Sequence, residues 1–195
     1  MELRIIGGIF KGKKISFPRQ IRPTSTKVKK ALFTVLGEFF EDGASFIDLF
    51  AGSGAVGIEA YSRGADRVIF VEKDPEVLKF LKKNLKKLGV PYLYAPKVIP
   101  PTGVVVLPWP VVRAVKAMQG QIIADAIYID PPYHNRWEKI ALKGIEKSDI
   151  VSGRTRVFLE HYKSFKMTEF GSLFRFKRRE YGDTVVSEFK KAEDE

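Results

Sequence analysis

The segment Ser45-Phe-Ile-Asp-Leu-Phe-Ala-Gly-Ser-Gly-Ala-Val-Gly57 decides the fold. Its apolar run over 46–50 predicts a buried parallel strand, and an amphipathic helical pattern begins at Ala55. Between them, Gly52 and Gly54 can adopt backbone angles that a Cβ atom would forbid, and they let a ligand approach the main chain. The helix that follows directs unpaired N–H groups toward the same place. The pattern therefore predicts the ligand-binding turn of an open α/β sheet.

The spacing of the glycines leaves two ligand classes open. Gly52, Gly54 and Gly57 match the G-x-G-x-x-G fingerprint of dinucleotide-binding proteins, and Glu72 follows the next predicted strand, where a ribose hydroxyl would be bound. Enzymes that bind S-adenosylmethionine use the same turn and carboxylate, because both ligands contain a ribose–adenine unit. The turn alone does not distinguish a nicotinamide cofactor from S-adenosylmethionine.

Composition excludes several classes of protein. The 195 residues suit one domain, and 45% hydrophobic with 29% charged residues is typical of a globular chain. There is no cysteine and there are two histidines, which argues against disulfides, thiolate catalysis and a metal site. No apolar run approaches membrane-spanning length and the start lacks a signal-peptide profile, so we expect a cytoplasmic protein without metal or membrane association. We also expect a monomer.

The net charge of +11 suggests an anionic polymer as partner, although a solvated lysine-rich surface is the alternative. Residues 3–17 predict a hairpin, either an RNA-binding arm with Phe10 and Phe17 available for stacking or an edge hairpin kept soluble by its lysines. A helix follows over 25–37. Lysines in the first turns of that helix, including Lys29, are disfavoured by its dipole, which mildly favours an anionic partner, although three solvated side chains are the simpler interpretation. The residues predicted to contact RNA are Lys11, Lys13, Lys14, Arg22, Lys27 and Lys30.

The rest of the chain alternates between strand and helix patterns. Strands are predicted over 68–71, 104–107, 124–129 and 156–160, and helices over 55–63, 74–89 and 111–118. Two closing strands over 173–181 and 184–190 form an antiparallel hairpin. Together these elements predict a doubly wound α/β sheet that is mostly parallel. We interpret residues 1–20 as a basic hairpin arm and 21–195 as the catalytic core of a single domain.

The sequence Asp130-Pro-Pro-Tyr133 follows the fourth predicted strand of the core and favours S-adenosylmethionine over a nicotinamide cofactor. An exocyclic amine of a nucleobase is a poor nucleophile because its lone pair is delocalised into the ring. Asp130 and the carbonyl group of Pro131 can each accept a hydrogen bond from one N–H group of the amine, while Pro131 and Pro132 fix the turn. Tyr133 offers a surface on which a flipped-out base can stack. The motif predicts methylation of an amino group without a metal or a strong base.

At this point the chain resembles a known family. The carrying segments, in family order, are Arg4-Ile-Ile-Gly-Gly8, Arg22-Pro-Thr24 with Val28 and Ala31-Leu-Phe33, Asp48 to Ala60, and Asp130 to Tyr133. Together they are similar to the RsmD-type methyltransferases, which modify a guanine at N2 in small-subunit ribosomal RNA. The resemblance implies a class I methyltransferase (Rossmann-like) fold, S-adenosylmethionine as donor, and small-subunit ribosomal RNA or a partly assembled small subunit as substrate.

The resemblance also implies roles for individual residues. The donor site is expected to comprise Asp48, Phe50, Ala51, Gly52, Ser53, Gly54, Glu72, Lys73, Trp109 and Thr24. Asp130, Pro131, Pro132 and Tyr133 would hold the target amine, and Arg22 would lie near the donor or the RNA. One departure concerns the adenine site, where Leu107-Pro108-Trp109 replaces the usual Asn or Asp after the third strand. Either apolar and main-chain contacts hold the adenine, with Trp109 as the candidate, or the prolines shift the register.

Two further functions remain possible at the level of sequence. A DNA adenine-N6 methyltransferase shares the Asp-Pro-Pro-Tyr motif, although such enzymes generally need an additional target-recognition segment. A non-catalytic RNA-binding assembly factor on a methyltransferase scaffold would suit the basic residues but would leave Asp130 and the glycine turn without use. His134 and Asn135 follow the motif and are further candidates for contact with RNA.

Overall fold

The secondary structure follows the alternation of strand and helix patterns. The computed structural model describes residues 1–19, 25–37, 39–40, 43–132, 136–165 and 171–192. Its strands are β1 Glu2–Arg4, β2 Lys14–Ser16, β3 Ser45–Asp48, β4 Arg67–Val71, β5 Leu93–Tyr94, β6 Gly103–Leu107, β7 Ala126–Ile129, β8 Arg156–Tyr162, β9 Leu173–Tyr181 and β10 Thr184–Lys191. Its helices are α1 Thr26–Leu36, α2 Ala55–Ser62, α3 Pro75–Lys87, α4 Val111–Met118 and α5 Trp137–Glu146.

Within the described ranges, eight strands form the central sheet in the order β5-β6-β4-β3-β7-β8-β10-β9. The first six strands in this order run parallel to one another, and β10 is antiparallel to both β8 and β9. This arrangement confirms the predicted mostly parallel sheet with a closing antiparallel hairpin. The two-residue edge strand β5 was not predicted, because it lies in a proline-rich segment with no alternating pattern.

The sheet is covered on both faces, which is why its strands are continuous apolar runs. Phe46 packs in one core with Val68 and Phe70 and with residues of α1, α2 and α3. Ile47, its neighbour in β3, packs in a second core with residues of α4 and α5. Because successive side chains of a strand point to opposite faces, a single run supplies both cores.

The side chains of Ser25 and Asp74 cap the starts of α1 and α3, as the hydroxyl residue before the first helical pattern and the Asp74-Pro75 pair before the second predict. Ser25 Oγ accepts a hydrogen bond from the Val28 N–H at 3.1 Å. Asp74 Oδ1 accepts from the Glu76 and Val77 N–H groups at 2.8 and 3.3 Å, and Pro75 occupies the first helical position. These bonds satisfy N–H groups that a helix start otherwise leaves unpaired. In the parts of the chain that the structure describes, no helix combines the length and apolar character needed to cross a membrane.

The N-terminal hairpin β1–β2 packs against the helices. Ile5 and Ile15 are buried in the same core as α1 and α2. The side chain of Asn84, fully buried on α3, accepts from the Ser16 N–H at 2.9 Å and donates to the Ser16 carbonyl oxygen at 2.8 Å. It also donates to the carbonyl oxygen of Ser53, in the glycine turn, at 2.9 Å. Asn84 therefore connects the hairpin to the segment that was predicted to bind a ligand.

Lys29 is not one of the solvated lysines that the sequence suggested. Its side chain is fully buried, with Nζ 3.7 Å from Glu59 Oε2 and 3.0 Å from the carbonyl oxygen of Arg4. Arg63 Nε lies 2.9 Å from the other Glu59 oxygen, and the Ile6 N–H donates to Oε2 at 2.9 Å. Burial lowers the pKa of Lys29, and Glu59 opposes that change. We call Lys29, Glu59 and Arg63 the Glu59 cluster; it fastens the hairpin to α1 and α2.

Candidate active site

A cavity of about 450 Å³ lies at the carboxyl ends of β3, β4, β6 and β7. This is the edge at which ligands bind to open α/β sheets, and the volume lies within the usual range of small-molecule sites. The predicted site residues that line it are Asp48, Phe50, Ala51, Gly52, Ser53, Glu72, Lys73, Trp109, Asp130, Pro131 and Pro132. The folded chain thus brings most of the predicted donor residues and the described part of the proline motif to a single cavity, although Gly54 is not part of its lining.

The three glycines of the turn have different environments. Gly52 has φ +56°, and a Cβ atom placed on it would meet nothing within 4 Å. A Cβ on Gly54 would lie 2.5 Å from Leu81 Cδ1, and one on Gly57 would lie 2.3 Å from Phe70 Cε1. Gly52 therefore leaves room for a ligand, whereas Gly54 and Gly57 allow close packing of the turn and α2 against the core.

Four carboxyl groups line the cavity, those of Asp48, Glu72, Asp74 and Asp130. We call Asp48 and Glu72, which accept hydrogen bonds from α2 and from the glycine turn, the cavity carboxylates. Asp48 is buried, and its Oδ2 accepts from the Gly57 N–H at 3.0 Å. Burial raises the pKa of Asp48 to about 7, against the lowering effect of that hydrogen bond. Glu72 Oε2 accepts from the Gly52 N–H at 3.0 Å and Oε1 from the Asp74 N–H at 2.9 Å, while burial raises the pKa of Glu72. Glu72 thus holds the glycine turn and borders the predicted ribose position.

The proline motif enters the cavity from the neighbouring strand. β7 pairs with β3 so that Tyr128 lies beside Asp48. Asp130, Pro131 and Pro132 come directly after the last residue of β7 and line the cavity. Since adjacent strands are about 4.8 Å apart, the motif lies close to the glycine turn. Tyr133 lies outside the described residues, as do His134, Asn135, Arg22 and Thr24.

Two aromatic residues of the cavity were missed at the level of sequence. Trp137, at the start of α5, lines the cavity. Its ring centroid is 6.5 Å from that of Phe50 and 4.9 Å from Lys73 Nζ. Tyr128 also lines the cavity and donates its hydroxyl hydrogen bond to Glu160. Trp137 could have been suspected, because it follows the proline motif closely and opens a helix. Tyr128 has no such signal, since its pattern is that of a buried strand residue.

The position of Trp109 resolves the question of register. β6 ends at Leu107, whose carbonyl oxygen accepts from the Glu72 N–H at 3.2 Å, so Pro108 and Trp109 do follow the third strand of the core. Trp109 lines the cavity, and the guanidinium carbon of Arg113 lies 4.7 Å from its ring centroid. The side chain of Trp109 therefore borders the cavity in the region where the family usually has Asn or Asp.

The basic residues predicted to contact RNA lie away from the cavity lining. Lys11, Lys13, Lys14, Lys27 and Lys30 are exposed, and Lys14 Nζ pairs with Glu2 at 3.0 Å.

The aromatic residues predicted to stack on RNA bases beside these lysines are buried or half-buried. Phe17 is buried, so its prediction as a stacking surface is wrong, and Phe10 is half-buried against Tyr61. Among the residues that the structure describes, no group of three or more His, Asp or Glu side chains is placed to hold a metal ion.

Comparison with known proteins places this architecture in a family. The family model described as Conserved hypothetical protein 95 matches residues 3–190. The protein YlbH of Bacillus subtilis is 32% identical over 193 residues, covering 97% of this chain and 99% of YlbH. Ribosomal RNA small subunit methyltransferase D of Haemophilus influenzae is 32% identical over 164 residues, covering 83% of this chain and 80% of that protein.

Solved structures agree on the fold. A hypothetical protein of Thermus thermophilus, TTHA0928, superimposes with a TM-score of 0.80 at 28% identity, covering 97% of this chain and 99% of that one. The 16S rRNA N2 G1207 methyltransferase of T. thermophilus, solved with AdoMet and guanosine, has a TM-score of 0.68 at 20% identity, covering 98% of this chain and 50% of that one. The family resemblance given by the four quoted segments is confirmed, and the chain belongs to the family described as Conserved hypothetical protein 95.

Proposed function

We propose that this protein is an S-adenosylmethionine-dependent methyltransferase that methylates the exocyclic N2 of a guanine in small-subunit ribosomal RNA. One observation carries the proposal: the Asp130-Pro131-Pro132 turn lines the same cavity as the glycine turn and Glu72. A donor site and an amine-binding turn at one sheet edge are the two parts that methylation of a nucleobase amine requires. The name of the Haemophilus influenzae relative supports ribosomal RNA as the substrate class.

The volume and the lining of the cavity suit S-adenosylmethionine. Gly52 leaves open space for the ligand, and Glu72, which lines the cavity, would accept hydrogen bonds from ribose hydroxyls. Phe50 and Trp109 supply aromatic walls for an adenine ring. When bound, S-adenosylmethionine supplies an electrophilic methyl group on a positively charged sulfonium, and the acidic side chains of this cavity favour a cation.

The proline motif would act on the target amine. The carboxylate of Asp130 and the carbonyl group of Pro131 each accept a hydrogen bond from one N–H group of the amine, which draws the nitrogen lone pair out of conjugation with the ring. The new N–C bond would form as the bond from the methyl group to the sulfonium sulfur breaks and the neutral thioether leaves, and the amine would lose one proton, toward Asp130 or solvent. Neither Pro131 nor Pro132 has a backbone N–H that could compete for these acceptors. The remaining contribution is positioning of the nitrogen for in-line attack.

The test is to supply labelled S-adenosylmethionine with unmodified small subunits, naked small-subunit RNA and duplex DNA, and to identify the labelled nucleoside. Label in N2-methylguanosine of ribosomal RNA is the expected result. The preferred RNA form would show whether a partly assembled subunit is the substrate. Label in N6-methyladenine of DNA, or no transfer while the donor still binds, would contradict the proposal.

A further inference from the structure

The outer strand of the sheet, β9, exposes an unusual combination of side chains. Phe174 and Phe176 are 48% and 55% exposed, and Arg175 and Lys177 between and beside them are exposed as well. We call these four residues the β9 ridge. None of them was a candidate at the level of sequence, where the segment was predicted only as one strand of a hairpin.

The positive charge of the β9 ridge is not compensated within the described residues. Arg178 pairs with Glu180, and Arg179 lies 3.2 Å from Glu188. Arg175 and Lys177, by contrast, form no ion pair with an acidic residue in the part of the chain that the structure describes. A further cation, Lys190 Nζ on β10, lies 4.4 Å from the Phe176 ring centroid. The ridge is therefore both cationic and aromatic.

Two common explanations account for this surface incompletely. Lysines on an edge strand protect it from pairing with other chains, but protection does not explain two exposed phenylalanines. An edge strand can also recruit a strand of a partner protein. The register between β9 and β10 shifts between Glu188 and Phe189, which leaves Phe176 without a partner on β10. Such a bulge twists an edge and disfavours the addition of a regular strand.

The ridge lies on a strand that runs toward the candidate active site. Ile129 pairs with Leu159, Leu159 with Ser187, and Ser187 with Arg178, so Arg178 is level with the end of β7, where Asp130 follows. Three strand spacings separate them, or about 14 Å. The ridge begins one residue before Arg178 at Lys177 and extends away from the cavity to Phe174. A nucleic acid strand held on the ridge would therefore lead to the cavity edge.

We propose that the β9 ridge binds an unpaired segment of the RNA substrate next to the target nucleotide. The proposal rests on the proposed function for the nature of the ligand. Unpaired bases stack on Phe174 and Phe176, and Arg175 and Lys177 contact the phosphates. Exposed aromatic rings within a basic surface are the combination that single-stranded nucleic acid recognises, because every base has a face that can stack.

The test compares two double variants, Phe174→Ala/Phe176→Ala and Arg175→Ala/Lys177→Ala, with wild type. The probes are a labelled unpaired RNA oligonucleotide from unmodified small-subunit RNA and a duplex of the same length, with affinity measured across salt concentrations. Removing the rings should weaken binding of the unpaired RNA at least about fivefold per stacking ring and leave duplex binding unchanged. Removing the two cations should reduce the logarithmic salt slope by about 1.4, or about 0.7 per phosphate contact.

The matched control is Lys83→Ala/Lys86→Ala, which removes two exposed lysines from α3. It should bind unpaired RNA more tightly than either ridge variant, and all three should retain wild-type circular dichroism and affinity for S-adenosylmethionine. If the ridge variants bind RNA like wild type while wild type methylates RNA, the ridge proposal is wrong and the proposed function stands. If the ridge variants lose RNA binding but wild type transfers no methyl group to RNA, the ridge stands and the proposed function fails.

Discussion

Two sets of charged side chains touch helix α2 or the turn before it, and they differ in how their charges are compensated. In the Glu59 cluster, a fully buried carboxylate lies between Lys29 and Arg63. The cavity carboxylates Asp48 and Glu72 instead accept hydrogen bonds from main-chain N–H groups. Among the described residues, no lysine or arginine forms an ion pair with either of them.

This difference separates a structural use of buried charge from a functional one. The charge of Glu59 is compensated by Lys29 and Arg63 within the chain, so the contribution of the Glu59 cluster is to hold the hairpin on the helices. The cavity carboxylates have raised pKa values because burial is not offset by a cation, and perturbed carboxyl groups in a cavity are typical of functional sites. A cationic ligand such as S-adenosylmethionine would supply the missing positive charge.

The largest effect on stability is expected from Glu59→Gln. The substitution leaves Lys29 buried without a negative partner, and breaking a buried ion pair in this way costs about 3–5 kcal/mol. Urea denaturation measures the free energy of unfolding. The control is Glu76→Gln, which removes the exposed pair with Lys79 and should cost less than about 1 kcal/mol. Equal losses in the two variants would show that the Glu59 cluster is no more important than a surface pair.

Asp48→Asn should increase the free energy of unfolding at neutral pH, whereas Glu59→Gln should decrease it. The pKa of Asp48 is raised from 3.8 to about 7, so the folded state binds the proton more tightly and stability is lost as pH rises from about 4 to 7. The variant lacks this loss. Its stability relative to wild type should rise across that window by a few kcal/mol, at about 1.4 kcal/mol per pH unit. Parallel stability–pH curves for the two proteins would be inconsistent with a raised pKa; the exposed Asp183→Asn is the control.

Asn84→Ala tests the connection between the hairpin and the cavity. The substitution removes hydrogen bonds to both main-chain groups of Ser16 and to the carbonyl oxygen of Ser53. A loss of about 2–3 kcal/mol in unfolding free energy is expected, together with weaker binding of S-adenosylmethionine because Ser53 lines the cavity. Lys83→Ala, one residue earlier on the exposed face of α3, should change neither quantity. Unchanged donor affinity in Asn84→Ala would limit its role to folding.

The smallest effect is expected from Glu72→Ala, and it concerns binding. Loss of the carboxylate frees the Gly52 N–H and removes the acceptor proposed for the ribose, so the Kd for S-adenosylmethionine should rise about tenfold. Calorimetry of Glu72→Ala beside Glu76→Ala, a nearby exposed substitution on α3, measures the difference. If both variants bind the donor as wild type does, the assignment of Glu72 to the donor site is wrong.

The sequence predicts the parts of this molecule that local patterns determine. The core strands, the caps Ser25 and Asp74, and the meeting of the glycine turn with Asp130 follow from apolar runs, cap residues and sheet topology. Contacts between distant residues could not be predicted. Lys29 has the same local pattern as an exposed lysine, and its burial depends on Glu59, thirty residues away in the chain.

The same limitation applies to the candidate site and to the edge strand. Tyr128 and Trp137 join the cavity through packing of β7 and α5, which no motif encodes. The exposure of Phe174 and Phe176 depends on the position of β9 at the end of the sheet, because an alternating apolar pattern ordinarily indicates a buried face.

Under the proposed function, one cavity holds the donor through the glycine turn and acts on the amine through Asp130. Asp130→Ala tests it most directly, with donor binding measured by calorimetry and methyl transfer to small-subunit RNA measured under single-turnover conditions. Asp183→Ala, in the exposed turn between β9 and β10, is the control and should match wild type in both. Under the proposed function, Asp130→Ala should keep its Kd for S-adenosylmethionine within about threefold and lose at least about 100-fold in transfer rate. Transfer at the wild-type rate by Asp130→Ala would contradict it.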